Sequence, residues 1–140
     1  MAIIGIDLGT TNSLVSVWKD NEAFIIPDAL GNIMQPSVVT VDGEGKLLVA
    51  WAAKEEYLKC PERGVAGFKR TMGSATEYNL NGKTYRSEEL SAIVLKKLKS
   101  IAEEYLGEEI HEAVISVPAS DPRTVIIQLI ENIYLNKKIF

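Results

Sequence analysis

The most constraining feature of this chain is a pair of apolar runs with almost nothing between them. Ser13 to Trp18 alternates in the manner of a strand, with Leu14 among the residues of its apolar face, and Ala23 to Ile26 resumes the pattern until Pro27 ends it. Lys19-Asp20-Asn21 is the turn signal between them. Strands joined by so few residues are antiparallel neighbours, because a parallel pair needs a crossover of a dozen residues or more. A further short apolar run, Ala2 to Leu8, precedes them and reads as a buried strand. The chain therefore opens as a β-meander, which excludes the strand–helix–strand start of a dinucleotide-binding fold.

The rest alternates between strand and helix signals. Pro36 to Val41 reads as a strand, Asp42 to Gly45 as a turn and Lys46 to Val49 as a short strand. Ala50 to Lys59 reads as a helix stopped by Pro61, and Gly64 to Gly73 is punctuated by glycine. Tyr78-Asn79-Leu80 and Lys83 to Arg86 flank Asn81-Gly82, a strong hairpin signal. The clearest helix is Ser87 to Leu106, with Ser87 as N-cap, Glu88 and Glu89 in the first turn and Gly107 as C-terminal cap. Its apolar stripe is Leu90, Val94, Leu98, Ile101 and Tyr105. Ala113 to Val117 follows as a compact, buried apolar strand closed by Pro118.

Composition removes several functions. At 140 residues the chain is expected to form one domain with a real core. Its net charge of −4 argues against a nucleic-acid surface, and the Lys96, Lys97 and Lys99 cluster reads as the wet side of a helix. No apolar run approaches the ~20 residues that span a bilayer, and no secretory signal precedes the first strand, so no membrane association and a cytoplasmic location are expected. The single cysteine, Cys60, cannot form an internal disulfide, which fits a reducing compartment, and His111 lies far from it in sequence.

Three segments carry possible chemistry. Asp7-Leu8-Gly9-Thr10-Thr11-Asn12-Ser13 reads as a strand, a tight turn and a strand. Glycine at 9 lets backbone approach a ligand, successive N–H groups can form an anion-binding concavity, and the threonines and Asn12 add donors. Asp7 would serve an anion only through a hydrated divalent cation. The segment lacks the Gly-x-x-x-x-Gly-Lys-Ser/Thr of a P-loop, and an ordinary hairpin turn rich in threonine is the alternative reading. Phe68-Lys69-Arg70-Thr71-Met72-Gly73 can present Lys69 to a transferring phosphoryl group, or be solvated surface. Ala113 to Ala119 is a strand ending in proline, with or without a signalling role.

Taken together, these segments resemble one family. Ile4 to Ser13 looks like the first phosphate loop of the DnaK-type, seventy-kilodalton heat-shock chaperones. Pro36-Ser37-Val38-Val39 looks like the family's next strand, Phe68 to Gly73 its catalytic-lysine segment, Leu95 to Gly107 its long helix, and Ala113 to Ala119 its strand ending in Val-Pro-Ala. Leu14 to Asp20 and Phe68 to Ser74 most resemble the HscC branch. The resemblance covers residues 1–119; residues 120–140 form an apolar tail that does not align. Ala50-Trp51 also departs from the family, which usually has glycine after the valine.

The resemblance implies an α/β fold of the actin-like ATPase or ribonuclease-H-like class, first lobe only: a mixed sheet with an inserted strand–helix subdomain. It implies ATP or ADP with Mg2+ as ligands, Gly9, Thr10, Thr11 and Asn12 as phosphate contacts, Asp7 acting through the metal's water, Lys69 as the catalytic lysine, and Pro118 as the site that transmits nucleotide state. Client peptides and co-chaperones would be partners only of a complete protein. The chain would then be an N-terminal fragment of an ATP-dependent chaperone, inactive as an ATPase alone because one wall of the cleft is encoded. Two other readings are a fragment of an actin-superfamily sugar kinase, whose phosphate loop is similar, and a non-catalytic module that self-associates. Asp121-Pro122 can start a helix in the tail, and its Ile and Leu residues are expected to support a homodimer.

Overall fold

The computed structural model describes residues 2–116. Pro118 and the 120–140 segment lie outside the described residues. The chain begins as the meander expected: β1 (Ile3–Asp7), β2 (Asn12–Lys19) and β3 (Glu22–Ile25), each antiparallel to the next. Asp20 and Asn21 both take left-handed φ, 52° and 63°, the two-residue turn whose twist matches the flanking strands. β4 (Gln35–Pro36) pairs with the start of β2. β10 (Glu112–Ser116) lies parallel to β1, with Ile4 opposite Ala113 and Asp7 opposite Ser116. The resulting mixed sheet runs β10-β1-β2-β3, with β4 beside β2.

Between β4 and β10 the chain builds the inserted subdomain. β5 (Val38–Val41) is the centre of a three-stranded antiparallel sheet, flanked by β6 (Leu47–Val49) and β7 (Gly64–Ala66), and α1 (Trp51–Lys59) packs on it. A 3-10 turn at Phe68–Thr71 follows, then the hairpin of β8 (Glu77–Leu80) and β9 (Lys83–Arg86). The hairpin turns at Asn81-Gly82, again with both φ positive, as that dipeptide favours. α2 (Ser87–Leu106) then crosses back to the main sheet and leads into β10, the long crossover that a parallel pair requires.

The core lies where α2 meets β1 and β2. Leu90, Val94, Leu98 and Ile101 of α2 are buried together with Ile4, Ile6, Val15 and Val17. Four local expectations need correction. The buried face of β2 is Ser13, Val15 and Val17, and Leu14 lies on the opposite face with Trp18. β2 is apolar on both sides, and pairing of Val17 with Ile4 and Val15 with Ile6 decides which side α2 covers. The strand read over Pro36 to Val41 is divided at Ser37, which sends β4 to one sheet and β5 to the other. Among the described residues β10 is an edge strand of the sheet, and Val114 is 70% exposed, so its apolar run is not a sign of burial.

The fourth concerns α2 itself. Its N-cap is Arg86, whose N–H donates to the Glu89 carboxylate, and Ser87 is already helical. Tyr105 leaves the apolar stripe as the helix runs out over the sheet; half exposed, it stacks on Phe24 of β3. Gly107 closes the helix in the left-handed conformation, φ 69°, its N–H reaching the Glu103 carbonyl. Among the described residues, no helix is long and apolar enough to cross a membrane.

Candidate functional site

The turn between β1 and β2, Leu8 to Thr11, is closed from inside. An ideal Cβ placed on Gly9 would lie 2.0 Å from the carbonyl oxygen of Asn12, so no other residue fits there without moving the backbone. The sequence suggested glycine for the approach of a ligand, but closure of the turn is already sufficient reason. The Gly9 N–H donates to the Ser13 hydroxyl at 3.2 Å, and the Ser37 hydroxyl donates to the Gly9 carbonyl at 2.8 Å. The two hydroxyls lie 2.9 Å apart, and the Ser37 N–H donates to the Thr11 carbonyl at 2.9 Å. The turn is therefore strapped to the β4–β5 junction by two fully buried serines.

These bonds use the inner groups of the turn and leave its rim available. Among the described residues, neither Thr10 nor Thr11 donates a hydrogen bond, and the side chain of Asn12 makes none. Donors held in place and left unused are what an anion site requires, because they need no rearrangement when the anion arrives. Asp7 stands at the end of β1 beside this rim, exposed, and accepts a hydrogen bond from the Ser116 hydroxyl of β10 at 3.0 Å. Among the described residues no three His, Cys, Asp or Glu side chains group to hold a metal ion. A lone exposed carboxylate suits the manner in which Mg2+ is held beside phosphates, with most of its water shell retained.

Lys69 comes from a separate element. It sits half-buried on the 3-10 turn, between buried Phe68 and exposed Arg70. Gly67 enters the turn with φ 68°. The side chain of Lys69 forms no ion pair among the described residues, so its charge is not consumed internally. The turn is fastened to α2 by side chains. The Thr71 hydroxyl lies 2.7 Å from the Tyr78 hydroxyl, contacts that of Ser87 and donates to the Phe68 carbonyl. Glu88, 2% exposed, accepts the Gly73 N–H at 2.7 Å. Arg86 lies 3.7 Å from Glu88 and donates to the Ser74 carbonyl. α2 packs on this turn as well as on β1 and β2, so one helix underlies both parts of the site.

Asp7, Gly9, Thr10, Thr11 and Asn12 are thus brought together, while Lys69 stands on a different turn, and among the described residues no hydrogen bond joins it to them. Several residues that hold the site did not stand out in the sequence: Ser13, Ser37, Ser116, Thr71 and Glu88. A signal existed for the first. Ser13 occupies the buried phase of a strand whose next members are Val15 and Val17, and a small hydroxyl in a core slot needs a polar partner. The other four are revealed only by tertiary pairing.

An acidic loop near this region is built on the same principle. The Asp28 carboxylate accepts hydrogen bonds from the N–H groups of Leu30 and Asn32 and from the side chains of Asn32 and Gln35. Desolvation works to raise its pKa, but the bonds from Gln35, Asn32 and Leu30 together hold it below the ordinary carboxylate value. No ligand role is needed to explain it.

The amino-acid sequence matches the family described as Hsp70 protein over residues 3–79 and 74–120, two stretches that overlap at the β8 hairpin. The mixed sheet and inserted subdomain described above agree with the first lobe of that family's actin-like nucleotide-binding domain, and the family binds ATP. A family match over most of the chain implies a chaperone-ATPase lineage, and the chain belongs to the Hsp70 protein family.

Proposed function

We propose that residues 7–12 and Lys69 form the phosphate-binding half of a Mg·ATP site, in the lobe of a chaperone that couples ATP hydrolysis to capture and release of apolar peptide segments. The observation that carries this reading is the strapped Gly9 turn, whose outward donors on Thr10, Thr11 and Asn12 are unused. In this reading those donors hold the β- and γ-phosphate oxygens. Asp7 would hold a hydrated Mg2+, which would supply neutralising charge beside the phosphates. Lys69 positions the attacking water and meets the charge that develops on the γ-phosphoryl group, where a preorganised cation is most effective. Pro118 would pass the nucleotide state onward. Within the family, Leu14 to Asp20 and Phe68 to Ser74 favour the HscC branch.

In this reading the first lobe supplies one wall of the nucleotide cleft, and residues 1–140 on their own are expected to bind Mg·ATP weakly and not to turn it over. Calorimetric titration tests this reading. The expected result is an affinity weaker than micromolar that disappears on chelation of magnesium and in Asp7→Asn. Submicromolar, magnesium-independent binding, or steady-state hydrolysis abolished by Lys69→Ala, would overturn it.

A further inference from the structure

The segment that straps the Gly9 turn is itself clasped from the inserted subdomain. β4 is two residues long, too short for its own ladder to fix where it lies. Yet this stretch carries contacts on which the turn depends. Pro36 pairs with Asn12, Gln35 pairs with Ser13, and the Ser37 N–H donates to the Thr11 carbonyl at 2.9 Å. Two hydrogen bonds from the head of α1 bracket it. The Trp51 indole N–H donates to the Met34 carbonyl at 3.0 Å, and the Ala50 N–H donates to the Val38 carbonyl at 3.0 Å. Gln35, Pro36 and Ser37 lie between these two anchors.

We propose that Trp51 is a positioning residue for the anion site at the Gly9 turn, acting through Met34 and β4; the proposal rests on the Mg·ATP reading above. Three features set this bond apart from an ordinary surface contact. First, Trp51 is 39% exposed, so water is within reach of its indole N–H, yet that donor is turned onto a backbone carbonyl. Second, the entry into α1 is strained. Ala50 is buried and holds φ 62° and ψ −129°, a region costly for a residue with a Cβ, and such strain persists only where the surroundings impose it. Its N–H is committed to Val38 and its carbonyl accepts the Lys54 N–H at 2.8 Å, so Trp51 leaves the turn in a fixed direction. Third, the Lys54 ammonium lies 5.4 Å from the centroid of the Trp51 ring, a cation–π contact that restrains the same ring.

Gln35 gives the segment a local hold. Its buried side-chain amide donates to the Asp28 carboxylate at 3.0 Å and to the Asn32 carbonyl at 3.3 Å, both within the preceding loop. The Trp51 bond reaches further, because it ties that segment to α1. Contact then runs from α1 through Met34 to β4, and from β4 to Thr11 and Asn12. Closure at Gly9 is steric, so the influence of Trp51 falls on the rim at Thr11 and Asn12 rather than on the existence of the turn. A contact that holds a rim in its binding geometry is strengthened in turn when the rim is occupied, because coupling between two sites is reciprocal.

The test follows the indole N–H resonances of the isotopically labelled full chain, with Mg·ATP as the probe. The sequence has two tryptophans, and Trp18, 68% exposed on β2, is the internal reference. Saturating Mg·ATP should slow solvent exchange of the Trp51 indole proton about threefold and leave that of Trp18 unchanged. Trp51→Phe keeps an aromatic ring and removes the donor. It should accelerate exchange of the Ser37 amide and weaken Mg·ATP binding, each about threefold, with exchange in the core of α2 unchanged. Perturbation of residues 7–12 by Mg·ATP with no response at the Trp51 indole would overturn the proposal and leave the Mg·ATP reading standing. Unchanged Ser37 exchange in Trp51→Phe would do the same. Equal acceleration at Ser37 and in α2 would make Trp51 a general stabiliser and also refute it. If Mg·ATP perturbs none of residues 7–12, the reading beneath the proposal fails and the proposal fails with it.

Discussion

The two turns that would face a nucleotide are held by opposite means. The Gly9 turn is closed by its own backbone and strapped by Ser13 and Ser37, so its shape follows from residues that lie close together or on the adjacent strand. The Lys69 turn is a short 3-10 segment with little closure of its own, fastened by Thr71, Tyr78, Ser87 and Glu88 from a hairpin and a helix that follow it. The first is shaped by sterics, which tolerate no substitution. The second is shaped by a polar network, which loses strength by degrees. The lesson is that a turn closed by sterics is rigid before any ligand arrives, whereas Lys69 is only as well placed as the helix that fastens its turn.

The largest effect should come from the backbone-closed turn. Gly9→Ala places a methyl group against the Asn12 carbonyl at a distance no real contact allows, so the turn must open. Overpacking of this kind typically costs about 3 kcal/mol, and urea unfolding should read a loss of that size. A loss below about 1 kcal/mol would mean that the turn is softer than its geometry implies. Thr71→Val comes next. It keeps the shape but removes the hydroxyl shared by Tyr78, Ser87 and Phe68, leaving the buried Ser87 hydroxyl short of a partner. A buried group left unsatisfied costs about 2 kcal/mol, and amide exchange at Gly73 should accelerate while that of the Gly9 turn does not. Equal acceleration at both turns would erase the distinction between them.

Smaller still is Ser37→Ala, which removes one strap and leaves the steric closure intact. Its expected cost is about 1 kcal/mol, with the Gly9 and Thr11 amide shifts barely moved. Ala50→Gly should act in the other direction. Ala50 is buried at the head of α1 with φ 62° and ψ −129°, a conformation that glycine adopts freely and alanine does not. Relief of that strain, partly offset by the greater freedom of glycine in the unfolded chain, should stabilise the protein by about 0.5–1 kcal/mol. An unchanged or lowered midpoint would show that the alanine methyl group contributes packing that outweighs the strain.

How far the sequence could be read follows the same division. Features governed by local chemistry were legible: the two left-handed turns at Asp20-Asn21 and Asn81-Gly82, the extent of α2, its closure at Gly107, and the meander itself. The Ala50-Trp51 oddity was visible as a missing glycine, and the positive φ supplies its reason. What the sequence did not disclose depends on which surfaces meet. Leu14 and Val15 are equally apolar, and only pairing with Ile6 and cover by α2 turn Val15 inward. Ser87 has the chemistry of an N-cap, yet its hydroxyl is drawn to Thr71, one position inside the helix. Val114 sits in an apolar run but, among the described residues, at a sheet edge, where periodicity says nothing about exposure.

The account's central claim is that the unused donors of the Gly9 turn form an anion site completed by Lys69. Backbone and lysine-methylene shifts of the isotopically labelled chain, titrated with Mg·ATP, test it most directly. The account predicts that perturbations centre on Asp7 to Asn12 with a second group at Lys69 and its neighbours, that they vanish when magnesium is chelated, and that Gly9→Ala abolishes the first group. Perturbations that spare residues 7–12 while appearing elsewhere on the chain would contradict it.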